Sequence, residues 1–68
     1  MLTSFLFQGH TIVADTSSAP GVDGFREQGV SISCGTAAIP YTVCRAVVFM
    51  VQNNVRSLVM DGAEIRRH

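Results

Sequence analysis

The chain contains no lysine, few charges and no long apolar run, and each of these absences excludes something. Its 68 residues hold five arginines and five acids, a formal net charge of zero with 15% charged residues. Nucleic-acid binding draws most of its affinity from many cationic contacts to phosphate, and such a balance lacks that footprint. The only cationic cluster is Arg66, Arg67 and His68 at the end of the sequence. The longest apolar run, Ala46 to Val51, is six residues, whereas a membrane helix needs about 20. The apolar stretch from Leu2 to Phe7 has no basic start and meets polar Gln8 and His10, so it does not read as a signal peptide. No membrane partner is expected.

Cysteine is also scarce. Cys34 and Cys44 have nine residues between them, too many for a CxxC redox pair, and two cysteines are too few for a four-cysteine zinc site. His10 and His68 lie at opposite ends, so no metal and no cofactor are expected. A turn between the cysteines would allow a disulfide, but two buried free thiols are the expected state, because cysteine commonly acts as a small hydrophobe.

What is present is apolar: 47% of the residues are hydrophobic. That fraction with so little charge argues against disorder. A domain of this size hides only about 60% of its unfolded surface, so its own core is expected to be marginal and externally supported. One domain is expected over residues 1–68, with an arm and loop over 1–29 and a β meander over 30–68.

From Leu2 to Ala14, β-branched and aromatic residues interrupted by Gly9 predict one or two short strands or an extended N-terminal arm. Asp15 to Gly29 is rich in turn formers and reads as one long loop, of a length that usually serves function or lies against a partner. Val30 to Ser33 alternates as a half-covered strand does. Gly35 to Pro40 reads as a strand edge or crossing segment. Arg45 to Gln52 reads as the main strand, apolar on both faces, which calls for a sandwich or a neighbouring subunit to cover it. Asn53 and Asn54 supply a turn, Ser57 to Met60 the returning strand, Asp61 and Gly62 a second turn, and Ala63 to Arg66 a last short strand. The expected fold is mainly β, a small antiparallel meander or partial sandwich with an extended arm and a long loop.

No constellation carries catalysis. Ser17, Ser18, Ser31, Ser33, Cys34 and Cys44 are nucleophile candidates with His10 or His68 as base, yet none sits in a nucleophile-elbow context. The five acids are scattered singly, and Gly21, Gly24 and Gly29 do not form a phosphate-binding GxGxxG. Phe5, Leu6 and Phe7 either anchor the chain into another subunit or complete its own core.

One stretch resembles a known group. Val30-Ser31-Ile32-Ser33, Gly35-Thr36-Ala37-Ala38-Ile39-Pro40, Arg45 through Asn54 and Ser57 through Gly62 look like the small β-rich virion proteins of tailed bacteriophages. The resemblance covers about half the chain through a short, degenerate motif; nothing in it matches residues 1–29, and the further strands usual after the glycine are missing here. It implies a non-enzymatic structural protein of the particle, such as a capsid decoration (cement) protein or a head, tail or baseplate accessory. The expected partners are protein subunits, the major capsid protein among them, together with further copies of the chain. The expected location is the virion surface, otherwise the cytoplasm. Candidate interface residues are Phe5, Leu6, Phe7, Val48, Met50, Arg66 and Arg67. The alternative is a small thiol-dependent or ligand-binding enzyme domain built on Cys34 and Cys44, or a regulatory peptide or fragment of a larger fold.

Overall fold

A computed structural model describes residues 2–15 and 24–68. They form six strands and one helix: β1 (Leu2–Phe7), β2 (His10–Asp15), β3 (Phe25–Glu27), β4 (Val30–Ile32), α1 (Tyr41–Asn53), β5 (Ser57–Met60) and β6 (Ala63–Arg67). All pairings are antiparallel and the sheet order is β4-β3-β2-β1-β6-β5. The mainly β expectation holds, but the centre of the sheet is the segment read as an arm. β1 lies between β2 and β6, and the extended arm does not exist.

Three hairpins build this sheet by one device. Gln8-Gly9, Gln28-Gly29 and Asp61-Gly62 all have positive φ at both positions, the requirement of the two-residue turn whose twist matches its flanking strands. Each closes a pair in register: Phe7 with His10, Glu27 with Val30, Met60 with Ala63. The expected loop from Asp15 to Gly29 is accordingly broken by β3 and a tight turn; its stretch from 16 to 23 lies outside the described residues.

The predicted main strand is a helix. Val43, Ala46, Val47 and Met50 recur at the i, i+3, i+4, i+7 spacing of one helical face, and all four are buried. β-branched density had favoured a strand, but burying this stripe outweighs a propensity deficit of a few tenths of a kcal/mol per residue. The chain enters the helix at Pro40, whose carbonyl accepts the Val43 and Cys44 N–H groups at 3.0 and 3.3 Å. It leaves at Asn54, in the left-handed conformation, with the Val55 N–H donating to the Met50 carbonyl at 3.0 Å. Asparagine there serves a helix end rather than a hairpin. Gly35 to Pro40 is no strand edge but a compact loop: the Gly35 N–H donates to the Ile39 carbonyl, the Ile39 N–H to Thr36 Oγ1, both at 3.0 Å, and Ile39 is buried.

One face of the sheet packs against α1. Phe5, Phe7, Ile12, Ala14, Phe25 and Ile65 meet Ile39, Val43, Cys44, Ala46, Val47 and Met50 in a single cluster. The described chain covers its own core, so neither a sandwich partner nor a neighbouring subunit is needed to shelter the Arg45–Gln52 segment. Cys34 and Cys44 are joined in a disulfide, with Cα atoms 6.2 Å apart, not held as free thiols. The bridge ties α1 to the segment leaving β4, while the far end of α1 runs directly into β5.

Candidate interaction surface

Between α1 and the edge strand β5 lies a groove of about 500 Å³, lined by Thr42, Arg45, Ala46 and Phe49 from the helix and Leu58 and Met60 from the strand. Thr42 and Arg45 are its polar side chains; Ala46, Phe49, Leu58 and Met60 are apolar. Strand alternation turns Leu58 and Met60 toward the helix face of the sheet, and helical spacing sets Thr42, Arg45 and Phe49 on the side of α1 that the core leaves open. Phe49 is 49% exposed. Arg45 forms no ion pair with another described residue.

Among the described residues, the same strand is an unpaired edge of the sheet. Met60 pairs with Ala63 across a two-residue turn, which makes them a hydrogen-bonded pair, and alternation makes Leu58–Ile65 the next. The pattern continues to Arg56, whose carbonyl accepts the Arg67 N–H at 2.9 Å. The N–H and C=O groups of Ser57 and Val59 therefore point away from β6, beyond the last strand. By the same reasoning β4, at the opposite edge, presents only those of Ser31. No lysine, proline or other edge-blocking residue interrupts Ser57 to Met60.

The sheet face opposite α1 carries no described element. Leu2, Leu6, Val13 and Val59 alternate onto it among Thr11, Arg26, Glu64 and Arg66. Leu2 and Val59 are 67% and 71% exposed.

The structure scatters the residues expected to form an interface. Phe5, Phe7 and Met50 are core residues with at most 5% exposure, so they cannot touch a partner without unfolding; the core reading of Phe5 and Phe7 is the correct one. Val48 is half-buried against that core. Leu6 and Arg66 sit opposite each other on the uncovered sheet face. Arg67 is held within the fold: its guanidinium donates to the Met50 carbonyl at 3.1 Å and to Asn54 Oδ1 at 3.0 Å, and lies 5.6 Å from the Phe5 ring centroid. A cation at the last carbonyls of α1 also opposes the helix dipole. The His68 N–H donates to the Ser4 carbonyl at 2.9 Å, fixing the end of the chain to β1.

Among the catalytic candidates, the two cysteines are spent in their bridge, and His10 Nδ1 lies 2.8 Å from Glu27 Oε2, linking β2 to β3. Ser17 and Ser18 lie outside the described residues. The described residues contain no group of three or more metal-ligating side chains and no helix long and apolar enough to cross a membrane. Thr42, Arg45, Phe49 and Leu58 were missed because their convergence exists only once residues 41–53 are helical; the exposed side of that helix was the available signal. Comparison with protein-family models, with curated proteins and with solved structures finds no match for this chain.

Proposed function

We propose that this chain is a non-enzymatic structural protein that stabilises a multi-subunit assembly, of the kind its resemblance to phage virion proteins implies. One observation carries the reading: an apolar groove lies directly beside an unpaired, uncharged sheet edge. That combination suits an added strand, whose backbone would bond to Ser57 and Val59 while alternate side chains fill the space between Leu58, Met60 and Phe49. The basis differs from the one expected from sequence. The core is complete, and cohesion comes instead from surface the fold leaves open.

The disulfide supports a place outside the reducing cytosol, such as a virion surface, where such bonds persist. The thiol-enzyme alternative needs a free thiolate and finds both sulfurs paired. Quantitative mass spectrometry of particles purified from the producing cells tests the proposal. The expected result is this chain at a fixed ratio to a shell subunit. Recovery only as free protein, with none in any particle fraction, overturns it.

A further inference from the structure

We draw no further inference here: the strongest candidate, the apolar groove between α1 and the outer edge of β5, belongs to the surface already described, and nothing in the structure shows what covers it.

Discussion

Opening the Cys34–Cys44 bridge, by reduction or by the Cys34→Ser/Cys44→Ser pair, perturbs the fold in a way whose size follows from chain statistics. The bridge spans a sequence separation of ten. Closing a loop of that length removes conformational entropy from the unfolded chain equivalent to about 3 kcal/mol at 25 °C. For a 68-residue domain the unfolding entropy near the midpoint is roughly 140 cal/mol/K, so the loss corresponds to a Tm about 20 °C lower. The native contacts that hold the loop, from Gly35 to Ile39 and from Ile39 to Thr36, do not depend on the bond, so the strands and helix should persist below that temperature. Thermal unfolding followed by far-UV circular dichroism, with and without reductant, measures the shift. Urea unfolding adds an independent check, because an unbridged denatured chain exposes more surface and should give a steeper m value. Thiol titration of denatured, unreduced protein should find no reactive sulfur. Two reactive thiols there, or a Tm that reduction moves by only a degree or two, would refute the reasoning.

Other substitutions test the remaining supports. Phe5→Ala removes a fully buried ring from the centre of the sheet and is expected to cost about 3–5 kcal/mol, seen as partial or complete unfolding by near-UV circular dichroism; an unchanged melting curve would return Phe5 to the surface role first expected of it. Arg67→Ala strips the hydrogen bonds to Met50 and Asn54 and is expected to cost about 2 kcal/mol, with faster amide exchange at the end of α1; loss of less than about half that figure would mean the guanidinium is not holding the helix end. At Gly62, φ is +77° with open space around the position, so Gly62→Ala is strained by its backbone alone and should lower stability by about 1 kcal/mol in urea unfolding.

The β5–β6 hairpin was legible because Asp61-Gly62 is a strong turn signal between two alternating segments. The Gln8-Gly9 and Gln28-Gly29 turns use the same geometry with a weaker first residue, so the hairpins they close were read as an arm and a loop. Residues 45–52 misled for a definite reason: six consecutive apolar residues satisfy period 2 and period 3.6 equally well, and extending the window back to Val43 is what reveals the helical stripe. The cysteine pairing was illegible because ten residues of sequence separation specify no distance in space; that distance follows from the loop that folds over Ile39. The groove depends on where α1 lies against β5, a tertiary fact. Of the residues first assigned to an interface, only Leu6 and Arg66 lie on the uncovered sheet face, and none lines the groove.

Residue-resolved amide hydrogen exchange addresses the outer edge of β5 most directly, comparing the chain in dilute solution with the chain in its associated form. Leu58 and Met60, bonded within the hairpin, should exchange slowly in both. Ser57 and Val59 should exchange rapidly when dilute and slow markedly on association, because their N–H groups then acquire partners from another strand. Equally rapid exchange at Ser57 and Val59 in the associated form would contradict the account.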